Sequence, residues 1–263
     1  MALKFKLETG MQLISRLTKK SGIENFYPSL FKCGPKDGEI IEIYSRSSSN
    51  PLLIELITEV LLPQSIGGIE AGTVILNTDG NFNKNSFIEI LKHKLHKHVA
   101  ENNIEIYLND ECSMKKLIDT ALKNLYLLDV YDSSQLYITI LNLENIFMKH
   151  PNISLLVFNT LTAFYWSEQN IKVIKMDLYL KKLLKMIQKV VKDFKTVVMY
   201  TRPEYFSSTK EAIENLEPCC AIPTQERINY RIQVVYSNDD DHHFIYLQTH
   251  DQLVKMPFLL KNG

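Results

Sequence analysis

The chain has 263 residues, 45% hydrophobic and 23% charged, a globular balance long enough for one large α/β domain or two small ones with a sizeable core. Lys+Arg and Asp+Glu each total 30, so the formal net charge is +0; this argues against strong solitary binding to bare phosphate backbone and suits a chain kept soluble by a partner. The four cysteines (Cys33, Cys112, Cys219 and Cys220) form no Cys-x-x-Cys pair, the N-terminus lacks a signal-peptide core, and no apolar run reaches the ~18 residues of a membrane span, so a reducing compartment and no membrane are expected.

Periodicity then gives the elements in chain order. Met11, Leu13, Ile14 and Leu17 mark a short N-terminal helix, and Glu39–Tyr44 reads as a strand. Leu52–Leu62 is a buried helix that ends at Pro63, and Thr73–Thr78 is a strand. A helix follows from about Ser86 to Val99, then a helix over Met114–Leu122 and a strand over Leu125–Tyr131. Gln135–Met148 is a helix and Ser154–Asn159 a buried strand. Leu180, Leu183, Leu184, Ile187, Val190, Val191 and Phe194 share one helix face, the stripe of a helix packed on a sheet. Thr196–Thr201 is the next strand, and Ile228–Tyr236, Phe244–Thr249 and Lys255–Leu260 read as three consecutive strands. Strands alternating with helices imply a mostly parallel twisted sheet flanked by helices, with antiparallel edge strands at the C-terminal end. Such a fold puts ligands at the carboxyl ends of its parallel strands, in the loops after Tyr44, Thr78, Asn159 and Thr201.

Those loops carry a resemblance. Gly38-Glu39-Ile40-Ile41-Glu42-Ile43-Tyr44, then Leu62-Pro63, Gly67-Gly68 and Val74-Ile75-Leu76-Asn77-Thr78-Asp79-Gly80-Asn81-Phe82, resemble successive nucleotide-site segments of the RecA-family recombinases in both order and spacing. Ser154-Leu155-Leu156-Val157-Phe158-Asn159 resembles the family's second nucleotide strand. Within the family, Glu8–Leu17, Leu61–Gly68 and above all Leu161-Thr162-Ala163-Phe164-Tyr165-Trp166 are most similar to a eukaryotic recombinase paralogue, the short X-ray-repair cross-complementing type that lacks the N-terminal helical domain. The resemblance covers about the first 200 residues and implies a RecA-like core. On that reading residues 1–37 are an N-terminal helix and lead-in, 38–203 the core, and 204–263 a degenerate DNA loop and edge strands, all in one domain.

The family cofactor is Mg-ATP, and the positions that would hold it have changed. A phosphate loop needs glycines for close backbone approach, a lysine for charge and a hydroxyl for Mg²⁺. The equivalent stretch is Ser45-Arg46-Ser47-Ser48-Ser49-Asn50-Pro51, with no Gly and no Lys. Where the family's second strand ends in Asp there is Asn159, an uncharged and weak organiser of Mg²⁺. Asp79 stands where the resemblance places a water-activating Glu, and Pro203 stands near the family's γ-phosphate sensor. Asp79 reads more simply as a cap for the following turn or helix. The nucleotide pocket is thus expected to be degenerate, with no catalytic residue, no metal and no cofactor.

The remaining candidates are surfaces. Phe164, Tyr165 and Trp166 are candidates for core or partner packing. Lys181, Lys182, Lys185, Lys189 and Lys192 line the outer side of the long helix; they form either a solvated face or a patch for DNA or an acidic partner. The expected DNA loop, Glu204 to Pro223, carries one lysine among four glutamates and is a poor phosphate binder. The histidines His93, His96 and His98 lie among lysines, and Asp239–His243 reads as a hairpin tip, so neither is expected to hold a metal. By resemblance the chain is a non-catalytic subunit that binds another recombinase paralogue in a hetero-oligomer. It would support recombinase filament assembly on single-stranded DNA during homologous recombination repair, in the nucleus and also the cytoplasm. Two alternatives stay open: a paralogue that binds ATP weakly through Arg46 and contacts DNA directly, and an ATPase-dead RecA-like subunit of an Elongator-type tRNA-modifying complex.

Overall fold

The computed structural model describes residues 10, 13, 17, 20–24, 26–32, 34–45, 50–102, 111–169, 175–203, 228–236, 243–250 and 252–258. Its centre is an eight-stranded sheet in the order β3-β2-β4-β5-β1-β6-β7-β8. The strands are β1 (Ile40–Ser45), β2 (Gly72–Asn77), β3 (Leu125–Asp129), β4 (Ile153–Asn159), β5 (Val197–Pro203), β6 (Tyr230–Tyr236), β7 (His243–Gln248) and β8 (Leu253–Phe258). The pairings from β3 through to β6 are all parallel, and β7 and β8 join antiparallel at one edge. The antiparallel addition therefore begins at β7, because β6 continues the parallel part beside β1. Strands β2 and β4 are buried along their whole length. Covered on both faces, such strands read as unbroken apolar runs.

Two helical layers do the covering. Helices α1 (Asn50–Leu61), α2 (Lys84–Glu101) and α3 (Glu111–Lys123) press Leu53, Ile57, Leu91, Leu95 and Leu117 against Ile41, Ile43, Ile75 and Val157. On the other face α4 (Ser133–Lys149) and α6 (Met176–Phe194) bury Leu136, Ile140, Leu143, Leu183 and Ile187 against Ile40, Val74, Leu156 and Val198. Strand alternation sends neighbouring residues to opposite layers, which is why Ile40 and Ile41 belong to different cores. The apolar stripe read on α6 is the face it buries. A short helix, α5 (Tyr165–Gln169), follows β4; no periodicity in so brief a segment announces it. Strand β5 also runs to Pro203, past the expected end at Thr201.

Elements end where local chemistry ends them. Pro51 is tolerated as the second residue of α1, where its missing N–H is not needed. Asn83 caps α2 by accepting from Asn85 N and Ser86 N, and Asp132 caps α4 by accepting from Gln135 N. Between α1 and β2 the chain makes a 3₁₀ turn over Gln64–Ile66 and reverses at Gly67, whose φ is 86°. A Cβ on Gly68 would stand 2.1 Å from the Leu62 carbonyl oxygen. The double glycine is thus required by a left-handed residue and a close backbone approach. Of the N-terminal helix only Gly10, Leu13 and Leu17 are described, and they are helical. Beyond them the Lys20 ammonium donates to the carbonyls of Ile153 and Phe194 at 2.8 and 2.5 Å, fastening the lead-in to the sheet. Among the described residues no helix is long and apolar enough to cross a membrane.

Candidate functional site

Connections set the position of the site. From β2 the chain goes outward to β3, while from the adjacent β4 it goes the opposite way to β5. Divergence of neighbouring connections opens a crevice outside the carboxyl ends of those two strands. Asn77, Thr78 and Asp79 leave β2 there, and Asn159 and Thr160 leave β4.

The crevice residues hold one another. Asn159 Nδ2 donates to Asp79 Oδ1 at 2.8 Å, and Thr160 Oγ1 donates to Asp79 Oδ2 at 2.8 Å. Asn81 N also donates to Asp79 Oδ1, at 3.0 Å, closing the tight turn in which Gly80 takes a φ of 71°. The sense of the Asn159 amide follows from chemistry: a carboxylate only accepts, so the nitrogen must face Asp79. The Asn159 Oδ1 is left buried without a hydrogen-bond partner. The Thr78 hydroxyl contacts the carbonyl oxygens of Asn159 and Thr160 at 2.5 and 2.7 Å, and Thr160 N donates to Thr201 Oγ1 at 2.7 Å. Thr160 adopts a φ of 73°, a strained value for a β-branched residue. These bonds fix it there and tie the ends of β2, β4 and β5 together.

Two more of the expected pocket positions lie along the same edge of the sheet. Ser45 ends β1 opposite Pro203, the last residue of β5. The Ser45 hydroxyl is buried and has no hydrogen-bond partner. Arg46, Ser47, Ser48 and Ser49 lie outside the described residues, and Asn50 is described only as the first residue of α1. The structure thus brings Asp79 to Asn159 and Ser45 to Pro203, as two adjoining pairs.

A charge cluster that sequence reading missed sits directly beneath. Glu42 of β1 is wholly buried and pairs in register with Tyr200 on one side and Arg231 on the other. Tyr200 Oη donates to Glu42 Oε1 at 2.9 Å, and Arg231 Nε donates to Glu42 Oε2. Arg202 Nε stands 3.4 Å from Glu42 Oε1, close enough for attraction but without hydrogen-bond alignment. The Arg202 guanidinium lies over the Tyr44 ring, 5.0 Å from its centroid. Burial, reinforced by the Glu42 charge, pushes the Tyr200 phenol well above its ordinary pKa, so it serves as a donor. A signal did exist: Glu42 and Arg231 are single charges of opposite sign inside two mostly apolar strands.

The surface candidates fare differently. Tyr165 is a core residue, 7% exposed and packed on Tyr179; Phe164 is half-buried; only Trp166, 49% exposed, faces outward. On α6, Lys182, Lys185, Lys189 and Lys192 are exposed and Lys181 is half-buried. Lys182 Nζ donates to Tyr137 Oη at 3.1 Å and lies over that ring, so it also serves packing. The expected DNA loop and nearly all of the Asp239–His243 tip lie outside the described residues. Lys94, within the histidine-bearing helix, is buried between Glu55 and Glu59 at 2.9 and 2.7 Å, a clamp between α2 and α1.

The chain is similar to a DNA repair protein. It is 24% identical over 203 residues to DNA repair protein XRCC2 of Mus musculus, a match covering 74% of this chain and 68% of that protein. The resemblance to the recombinase paralogues read from segments such as Leu161–Trp166 is borne out, at the distance that 24% identity implies. No family model matches the chain.

Proposed function

We propose that the chain is a non-hydrolysing subunit of a recombinase-paralogue assembly and acts in homologous recombination repair of DNA in the nucleus. It binds a neighbouring paralogue and supports recombinase assembly on single-stranded DNA by templating and capping rather than by turnover. The repair role rests on the similarity to the mouse protein. The absence of turnover rests on the Asn159–Asp79 contact.

That contact fits Mg-ATP poorly. A hard cation is organised by oxygen ligands, and Mg²⁺ demands near-ideal octahedral geometry. At this point the chain presents an amide N–H, already donated to Asp79 Oδ1 at 2.8 Å. The Asp79 carboxylate is in turn occupied by Thr160 and Asn81. The crevice therefore gives nucleotide chemistry no support, and the carboxyl-end face is left for protein contact. The exposed Trp166, on the short helix that follows β4, is the side chain best suited to anchor that contact.

Affinity capture of the full chain from cell extract tests this reading. Recovery of recombinase paralogues is the expected result. Recovery of a transfer-RNA-modifying complex in their place rejects it.

A further inference from the structure

Beside the carboxyl ends of β2 and β3 lies a half-open pocket of about 500 Å³, whose lining includes Asp79, Phe82, Lys84, Asp129, Val130 and Tyr131. That volume lies in the range of small-molecule pockets and admits a long side chain together with water. Two carboxylates line it, and neutral amides bridge them. Asn77 Nδ2 donates to Asp129 Oδ1 at 2.8 Å, while Asn77 Oδ1 lies 3.4 Å from Asn159 Nδ2, which donates to Asp79. Among the described residues neither Asp79 nor Asp129 takes part in an ion pair. Asp129 is exposed, as is the Tyr131 ring at 76%. Among the described residues Lys84, at the exposed start of α2, is the one basic residue lining the pocket.

We propose that this pocket binds a guanidinium group, the side chain of an arginine presented by a partner protein. Charge selects a cation, since two carboxylates face one ammonium. The chemistry of the lining selects which cation. A divalent metal takes six or more oxygen ligands and gives up its water reluctantly, and the charged oxygens lining this half-open pocket come from two carboxylates alone. A guanidinium is weakly hydrated, forks onto carboxylates and stacks on aromatic faces. Asp129 supplies the acceptor at the mouth, Tyr131 the exposed ring beside it, and Phe82 and Val130 an apolar floor. Anionic ligands, including a nucleic-acid backbone, are disfavoured by the same charges. This inference deepens the reading of the chain as a partner-binding subunit and rests on it.

The test is a titration of the purified full chain with the peptide acetyl-Gly-Arg-Gly-amide and with its counterparts carrying citrulline or lysine, read by calorimetry or by amide shifts at Gly80. Citrulline keeps the shape and removes the charge; lysine keeps the charge and removes the planar fork. Saturable arginine-peptide binding is expected, with both counterparts weaker by about tenfold. Asp129→Asn and Tyr131→Ala, both at exposed positions, should each weaken it about fivefold or more, and Lys84→Ala should tighten it. Equal binding of the citrulline or lysine peptide, absence of saturation, or indifference to Asp129→Asn overturns the proposal. The peptide titration needs no partner, so its failure is separate from a failure to recover recombinase paralogues from extract.

Discussion

The side-chain nitrogen of Asn159 stands 2.8 Å from Asp79 Oδ1, across the crevice between two neighbouring strands. In a carboxylate pair at this separation like charges would repel unless a cation bridged them. An amide in place of one carboxylate turns the repulsion into a hydrogen bond, which holds the two strand ends together without a cation. Asn159→Asp should therefore destabilise the fold by about 2–4 kcal/mol at neutral pH. Millimolar MgCl₂ should recover part of that loss in the variant and leave the parent unchanged. Urea denaturation with and without Mg²⁺ measures both; an equally stable, Mg²⁺-insensitive variant would show that the amide is incidental.

The Glu42 cluster gives a second prediction. With Glu42 wholly buried between Tyr200 and Arg231, Glu42→Gln strands a guanidinium in the core. The expected cost is about 3–5 kcal/mol in chemical denaturation. Removing the stranded charge as well, in Glu42→Gln with Arg231→Met, should return part of it. A double variant no better than the single one would mean that Arg231 is not the group left uncompensated.

Alkaline pH addresses Lys20. Burial lowers its pKa to about 8 from an ordinary 10.5, with the Asp37 charge pulling the other way. Between those two values the unfolded chain holds a proton that the folded chain has released, so raising the pH stabilises the fold. Burial pushes the phenols of Tyr27, Tyr179 and Tyr200 upward, so above about pH 10 they destabilise the fold as pH rises. That contribution is shared with a Lys20→Met variant and cancels in the difference. From pH 8 to about pH 10.5 the parent should gain stability relative to Lys20→Met; a constant difference would contradict the placement of the ammonium.

Trp166 and Tyr165 should separate cleanly although adjacent. Tyr165 lies in the core, and Tyr165→Ala should cost about 3–5 kcal/mol of stability. Trp166 is about half exposed, so Trp166→Ala should change stability by about 1 kcal/mol or less. Recovery of the paralogue partner should nonetheless fall about tenfold or more with Trp166→Ala, measured by quantitative affinity capture. Full recovery with that variant would remove Trp166 from the contact surface.

Much of this architecture is legible in periodicity because each helix buries a single stripe and each central strand is buried on both faces. The α6 stripe from Leu180 to Phe194 and the runs Val74–Leu76 and Leu155–Phe158 are examples. What escapes local pattern depends on strand order. Glu42 and Arg231 stand 189 positions apart and meet only because β6 pairs beside β1. The parallel direction of β6 escapes for the same reason. Asp79 and Asn159 are visible as single changes within a resemblance, but their bond requires β2 and β4 to be neighbours. Of the turn or helix that Asp79 is expected to cap, it serves the turn, where it accepts from Asn81, while Asn83 caps the helix.

Equilibrium binding of Mg-ATP to the purified full chain, with phosphate release followed in the same sample, tests the central claim most directly. A chain whose carboxyl-end crevice is closed by Asn159 and Asp79 should show no saturable binding below about 1 mM and no release above background. Micromolar affinity for Mg-ATP, with or without turnover, would contradict the account.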